Sequence, residues 1–346
     1  MIDFITAIFP CEHPEFISGG LLLSSDRDGA LEWQAHKRLS IEGSHSSTIQ
    51  VKSIDLQGQM LWVSGNPAKF LQGHNLFGTD DLLGLVCLFY DKLTRTLGLR
   101  PSAYDWDRVE RGIYALSRVD ATAMIPLKCQ TDVAAFLRAA TPVVSGKHQG
   151  TSAYGGETIY IGQRSRRITT KLYNKFLELA KHPLPKEIPY RNELIEYSED
   201  KLRVEVTLRL MELKDRGLHV ASNWNSETAS TLVAERLKNM KLPEKMRLTK
   251  ATIKGFPGSL VGAYALWEDG QDLRSIYPRR TFYRYRSALL KHGIDISIQR
   301  PAKPESNVVP MVRFIIAEYR GTGEIPDFAR GTDLYADPST RFKRIA

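Results

Sequence analysis

The residues best suited to chemistry lie between Tyr160 and Lys175, in the stretch YIGQRSRRITTKLYNK. A short strand signal turns at Gly162, crosses Arg164, Arg166 and Arg167, and returns as a second strand. Side-chain alternation puts Arg167, Thr169, Lys171, Tyr173 and Lys175 on one face, with Ile168, Thr170 and Leu172 on the other. A phenol on a cationic strand face is what an enzyme needs if a tyrosine is to attack a phosphodiester. Tyrosine titrates near 10 in water, so Lys171 and Lys175 are expected to favour the phenolate or to stabilise charge in the transition state. The plain alternative is an ordinary strand aromatic.

Two further segments share this grammar. In GIYALSRVDATAMI, alternation places Leu116, Arg118, Asp120 and Thr122 opposite Val119, Ala121, Ala123 and Ile125. In KLRVEVTLRLMEL it places Arg203, Glu205, Thr207 and Arg209 opposite Leu202, Val204, Val206 and Leu208. Charges in mid-strand are costly inside a core unless paired or used. If the three segments form one sheet, Asp120, Tyr173 and Glu205 share a surface. Two carboxylates, with or without a histidine, can hold one Mg²⁺ or Mn²⁺ and leave positions open for phosphate oxygens. Such an ion would polarise the phosphate that a tyrosinate attacks. His74, beside Gly73, is the candidate histidine, against the simpler reading of a local hydrogen-bonding residue. An exposed Arg–Asp ion pair is the simpler reading of Arg118 and Asp120.

The positioning elements follow from the rest of the chain. Residues 1 to about 65 read as a meander, with LEWQAHKRLSIEG as one strand and further strands around Thr48–Leu56 and Gln59–Ser64. Thr79 is expected to cap an apolar-periodic helix reaching Leu97. TDVAAFLRAATPVV reads as a helix, and SGKHQGTSAYGGET as a polar loop. From about Leu213 the pattern turns helical. Thr281 is expected to cap a helix running to His292, with Gly293 stopping it. Arg279, Arg280, Tyr283, Arg284 and Arg286 cluster there, in a helix-turn-helix or winged arrangement. NVVPMVRFIIAEY reads as a late strand and the last residues as a polar tail.

The 346 residues allow two domains, and 42% hydrophobic with 25% charged residues is an ordinary globular composition. No apolar run approaches the roughly 20 residues that span a bilayer. Cys11, Cys87 and Cys129 form no CxxC pair, which excludes a zinc ribbon. A net charge of +9 and a pI near 9.3 point to a polyanionic partner.

The segments GNPAKFLQGHNLFGTDDL, LSRVDAT, RRITTKLYNK, LRVEVTLR, FYRYRSALLKHGI and NVVPMVRFI together resemble the filamentous-phage gene II/X replication initiators, rolling-circle endonucleases related to the HUH group. The likeness runs from about residue 60 to 320. It implies an α+β chain with an antiparallel-sheet, replication-initiator-like nuclease domain over 1–215 and a mostly helical DNA-binding domain over 216–346. It implies a site-specific nickase acting in the host cytoplasm on double-stranded and single-stranded phage origin DNA, with host helicase and polymerase as partners. Such an enzyme leaves a 3′-OH, stays joined to the 5′-phosphate through tyrosine, and later closes the displaced strand into a circle.

The nucleophile of that family falls on Tyr173, and Lys175 also matches. Asp120 and Glu205 lie in its acidic strand motifs, and His74 and Asn75 in its GHN motif. No His-x-His occurs here, so the expected Mg²⁺ or Mn²⁺ ligands are His74, Asp120 and Glu205. The expected DNA contacts are Arg118, Arg164, Arg166, Arg167, Lys171 and Arg203, with Arg279, Arg280, Tyr283, Arg284 and Arg286 in the second domain. Two other readings compete: a non-enzymatic DNA-binding regulator, and a phosphohydrolase that uses water. Tyr160 remains a second candidate phenol.

Overall fold

The computed structural model describes residues 1–127, 129–145, 151–154, 157–240, 253–292, 294–297 and 325–343. Its strands are β1 (Ile2–Pro10), β2 (Leu21–Ser25), β3 (Leu31–His36), β4 (Leu39–Glu42), β5 (Thr48–Ser53), β6 (Met60–Gly65), β7 (Ala115–Pro126), β8 (Thr151–Tyr154), β9 (Thr158–Ile161), β10 (Ile168–Asn174) and β11 (Lys201–Arg209). Nine of them make one sheet in the order β4-β5-β6-β1-β7-β11-β10-β9-β8. Every pairing in it is antiparallel. β2 and β3 form a separate ribbon, so LEWQAHKRLSIEG divides between ribbon and sheet edge instead of making one strand.

One face of the sheet is apolar because the sequence alternates. Val119, Ala121, Ala123 and Ile125 of β7 meet Leu202, Val204, Val206 and Leu208 of β11 under a helical layer. Helix Leu82–Thr96 contributes Leu85, Val86, Phe89 and Leu93 to that core, and helix Gln130–Ser145 contributes Val133, Phe136 and Leu137. Removing such branched and aromatic side chains from water is the main drive for the layer to form. Helix Leu82–Thr96 is capped by Asp81, whose Oδ1 accepts from the Gly84 amide at 2.9 Å, and not by Thr79 as the sequence suggests.

Leu116 departs from the expected alternation. A register shift lies between the pairs Thr6↔Arg118 and Ala7↔Leu116, and the extra residue of this bulge turns Leu116 into the core. β8 is a second departure, since Thr151–Tyr154 pairs with β9 where the sequence reads as a loop.

Helix Thr228–Asn239 also belongs to the main core, through Ala229, Leu232, Val233 and Leu237. The core therefore runs past the boundary expected at residue 215. A smaller core joins helices Gly258–Glu268, Leu273–Ile276 and Arg279–Leu290 through Leu260, Trp267, Leu273, Phe282, Tyr285 and Leu289. Pro278, not Thr281, precedes the last of these helices. Its fixed φ suits a helix start, and proline has no amide hydrogen to leave unpaired. The expected stop at Gly293 and the late strand at 307–319 lie outside the described residues.

The tail is not a free polar end. Phe328, Ala329, Leu334 and Tyr335 pack with Leu76, Phe77, Met124, Leu179 and Leu194, across the sheet from the main core. Composition hides this, because few apolar residues separated by Gly, Asp and Pro do the packing.

Candidate active site

Register assembles the polar face. Lys171 lies opposite Glu205, and Tyr173 opposite Arg203, between β10 and β11. Across β11 and β7, Glu205 faces Thr122, Thr207 faces Asp120, and Arg209 faces Arg118. Directly opposed residues of antiparallel strands point to the same side. Arg118, Asp120, Lys171, Tyr173, Arg203 and Glu205 thus share one surface of three adjacent strands, as their alternation predicts.

Tyr173 donates its hydroxyl to Glu205 Oε1 at 2.6 Å. Lys171 Nζ lies 3.8 Å from the centre of the Tyr173 ring and 5.6 Å from that of Tyr160, within cation–π range of both. Tyr173 is only 3% exposed. Burial pushes its phenol well above the ordinary value, Arg203 pulls the other way, and Glu205, Glu178 and Asp3 add to the rise. The phenol is therefore held neutral, and the expected cation-favoured phenolate is not what this environment provides.

Lys175 is not a strand residue. It opens helix Lys175–Lys181, capped by Asn174, whose Oδ1 accepts from the Leu177 amide at 3.1 Å. Its ammonium is buried and turned to Glu178 Oε2 at 2.7 Å and Asn75 Oδ1 at 3.2 Å. Burial first, and then Arg203, lower its pKa.

Arg203 is the largest fully buried side chain among the described residues. It pairs with Asp3 Oδ2 at 2.9 Å and Glu205 Oε1 at 3.0 Å, and donates to the Asn75 carbonyl at 2.5 Å. With no exposed surface it cannot meet a phosphate in this arrangement, so its expected DNA contact is replaced by an internal clamp. Asp3 is a member of the site that sequence reasoning misses. The available signal is a carboxylate inside the apolar run MIDFITAIF, which on pattern alone is simply a strand. Burial alone would raise its carboxyl, but Arg203, Asn75 and Lys175 outweigh burial and hold it below the ordinary range. For Asp120 the balance is reversed. Burial raises it to about 6 despite a bidentate pair with Arg118, whose Nε and Nη2 reach its two oxygens at 2.8 and 2.6 Å.

The structure does not bring His74 to Asp120 and Glu205. Its Nδ1 accepts from the Leu76 amide at 3.3 Å, and its Nε2 bonds the Leu334 carbonyl at 3.0 Å. Burial holds the ring neutral, with its pKa lowered to about 3. Both oxygens of Asp120 are engaged by Arg118, Asp3 by Arg203 and two asparagines, and Glu205 Oε1 by Tyr173 and Arg203. Among the described residues, no three His, Cys, Asp or Glu side chains are gathered to hold a metal ion. The expected ligand set His74, Asp120 and Glu205 does not fit a divalent cation here.

A cleft of about 350 Å³ opens beside the nucleophile candidate, lined by Tyr160, Gln163, Lys171, Tyr173, Glu178 and Lys181 among others. Arg164 and Arg166 are exposed on the turn after β9. Arg167 is paired with Glu212 at 3.1 Å and with Asp215, so it ties that turn to helix Leu210–Asp215 instead of standing ready for DNA. Arg118 is half-buried over the Phe4 ring. In the smaller helical unit Arg279, Arg280, Tyr283 and Arg284 are exposed. Arg286 instead makes a bidentate pair with buried Asp295, at 2.7 and 2.9 Å, which makes it a structural residue.

Residues 1–227 match the N-terminal family model of the phage replication-associated protein encoded by gene II, and residues 260–332 match the C-terminal model of the same protein. The chain is 36% identical to the replication-associated protein of Enterobacteria phage I2-2, over 92% of this chain and 94% of that relative. It is 25% identical to the replication-associated protein of Enterobacteria phage M13, over 77% and 76% of the two chains. A solved rolling circle replication initiator protein from Geobacillus stearothermophilus aligns over 87% of this chain and 98% of its own, at 10% identity and a TM-score of 0.27, a likeness too distant to carry any argument. By its match to both family models and its identity to a relative aligned over nearly all of its length, the chain belongs to the gene II replication-associated protein family of filamentous phages.

Proposed function

We propose that the chain nicks and rejoins one strand of phage origin DNA, with Tyr173 as the nucleophile. The observation that carries this reading is the 2.6 Å hydrogen bond from the Tyr173 hydroxyl to Glu205, on a face that also presents Lys171 and the Tyr160 ring. Family membership supports the wider role in replication.

A neutral phenol is a poor nucleophile, so it needs a base within hydrogen-bonding reach. Glu205 is that base. As Tyr173 Oη bonds to phosphorus, its proton passes to Glu205, and the bond from phosphorus to the 3′ oxygen breaks. The 3′ oxygen takes a proton from solvent and becomes the 3′-OH, while the 5′-phosphate stays on Tyr173. Rejoining reverses the sequence: a 3′-OH attacks the phosphotyrosine, and Glu205 returns the proton to the phenol. Lys171 and Lys181 supply positive charge along the cleft, Arg164 and Arg166 are exposed on the turn after β9, and no step runs through a metal because the donors do not fit one.

Tyr173 is closed over in this arrangement, so the scissile phosphate reaches it only when the covering residues part. The exposed Arg279, Arg280, Tyr283 and Arg284 are assigned to the duplex flanking the nick. Host helicase and polymerase would take over at the 3′-OH.

The test is a covalent adduct on a 3′-labelled origin oligonucleotide, whose label stays with the fragment joined to the protein, followed by peptide mapping. The adduct is expected on the peptide carrying Tyr173 and is expected to vanish in Tyr173→Phe. Adduct formation by that variant, or mapping to Tyr160, refutes the assignment. DNA binding without cleavage by the unaltered protein would leave the regulator reading standing.

A further inference from the structure

We propose that Asn75 is a positioning residue for the Tyr173–Glu205 pair, and that His74 and the C-terminal segment 325–343 hold it in place. The inference rests on the reading of Tyr173 as the nucleophile and adds the device that keeps its base aligned.

Asn75 touches three charged groups of the site at once. Its Nδ2 donates to Asp3 Oδ1 at 3.0 Å, its Oδ1 accepts from Lys175 Nζ at 3.2 Å, and its main-chain carbonyl accepts from Arg203 Nη1 at 2.5 Å. A carboxamide is the neutral group that can donate to a carboxylate on one side and accept from an ammonium on the other. Arg203, oriented by that carbonyl and by Asp3, then holds Glu205 Oε1 at 3.0 Å, the same oxygen that accepts the Tyr173 proton. Asn75 thus reaches the nucleophile through one guanidinium.

The loop that carries Asn75 is fixed from both sides. Helix Pro67–Gln72 ends at Gly73 with φ 84°, and a Cβ there would lie 2.4 Å from the His45 ring, so the turn has no room for a side chain. On the other side, His74 Nε2 donates to the Leu334 carbonyl. Gln72 Oε1 accepts from the Ala336 amide at 3.0 Å, and its Nε2 donates to the Phe77 carbonyl at 2.8 Å. Leu76 and Phe77 are buried against Ala329 and Leu334. Two residues with no role of their own in the chemistry thereby fasten the loop to a segment some 260 positions away in the chain. By type and spacing His74 suggests a metal ligand; its neighbour is the one that meets the charges.

The experiment measures single-turnover adduct formation against concentration of an origin oligonucleotide, in the whole chain. Asn75→Ala is expected to lower the maximal rate about 100-fold, the scale of a small misplacement at a reacting centre, with half-saturation unchanged within about twofold. Asn75→Asp places a second carboxylate against Asp3 and is expected to fall as far. Combining it with Asp3→Asn puts one carboxylate and one amide back between the same cations, and is expected to recover at least about tenfold over Asn75→Asp alone, a coupling that contacting groups show and independent ones do not. A merely structural role would not produce that exchange. A wild-type maximal rate in Asn75→Ala, a loss confined to half-saturation, or a double variant no better than the single one overturns the proposal. Tyr173→Phe, run alongside, reports separately on the underlying reading: if it still forms adduct, the nucleophile is wrong whatever Asn75 does.

Discussion

Tyr173 bonds Glu205 diagonally across the β10–β11 pair, since the register sets Tyr173 opposite Arg203 and Lys171 opposite Glu205. Each member of the acid–base pair therefore has a cation directly across from it. Diagonal neighbours are about two residues out of step and come within reach only for long or aromatic side chains, which a tyrosine and a glutamate both are. Were the two directly opposed, neither cation would have this place.

Glu205→Gln tests the proton transfer. The amide keeps the shape of the site but cannot take the phenol proton, and the loss of a general base costs about 10²- to 10⁴-fold in rate. Burial holds the phenol above its ordinary value, so at neutral pH few molecules carry the phenolate. The variant should therefore gain about tenfold in adduct rate per pH unit from about pH 6 to 9, while the unaltered chain gains less. A parallel pH profile for the two proteins contradicts a base at Glu205.

Asp120 makes a prediction about stability. Its carboxyl is raised by burial to about 6 from an ordinary 3.8, so the folded chain binds this proton more tightly than the unfolded one. That contribution is fully present below about pH 4 and is lost as pH rises through about 6. Above about pH 6 the buried charge costs on the order of 3 kcal/mol, at roughly 1.4 kcal/mol per pKa unit. Asp120→Asn should remove that cost, so urea denaturation at about pH 8 should show a more stable variant and a flatter dependence between about pH 4 and 6. A site residue retained against stability is what a functional role leads one to expect.

Arg203 should behave in the opposite way. Arg203→Met keeps much of the apolar volume but strands the buried Asp3 and the half-buried Glu205 without their guanidinium. Removing one partner of a buried ion pair typically destabilises by about 3 to 5 kcal/mol. Adding Asp3→Asn to that variant should restore part of the loss, because one of the stranded charges is gone. Denaturant midpoints of the three proteins measure both effects, and a double variant less stable than Arg203→Met would contradict the clamp.

How much of this is legible in the sequence follows from periodicity. Alternation alone puts Lys171 with Tyr173, Arg203 with Glu205, and Arg118 with Asp120 on one face of their own strand, because a strand repeats every two residues whatever its neighbours are; the register of the three strands makes those faces one. It fails at Leu116, where a bulge adds a residue, and at Lys175, where Asn174 starts a helix. Tertiary pairing is invisible to it. Nothing local marks Arg203 as buried, Arg167 as bound to Glu212, or Arg286 as bound to Asp295. The same holds for His74, whose partner Leu334 is set by the return of the chain end. Charge type suggests DNA for all of these arginines, and burial divides them.

That division gives the last prediction. Arg279 and Arg280 are exposed at the start of helix Arg279–Leu290, whereas Arg286 on the same helix is fastened to Asp295 through both of its oxygens. A phosphate contact releases counterions on binding, so each one adds about one unit to the slope of log affinity against log salt. Arg279→Ala and Arg280→Ala should each lower that slope by about one for an origin duplex and leave the melting temperature unchanged. Arg286→Ala should do the reverse. It would leave Asp295, 1% exposed, with only the longer 3.5 Å contact to Arg138 and lower the melting temperature, while its slope stays near that of the unaltered chain at temperatures where the unit is folded. A slope change in Arg286→Ala without a loss of stability would mean that Asp295 releases this arginine to the DNA.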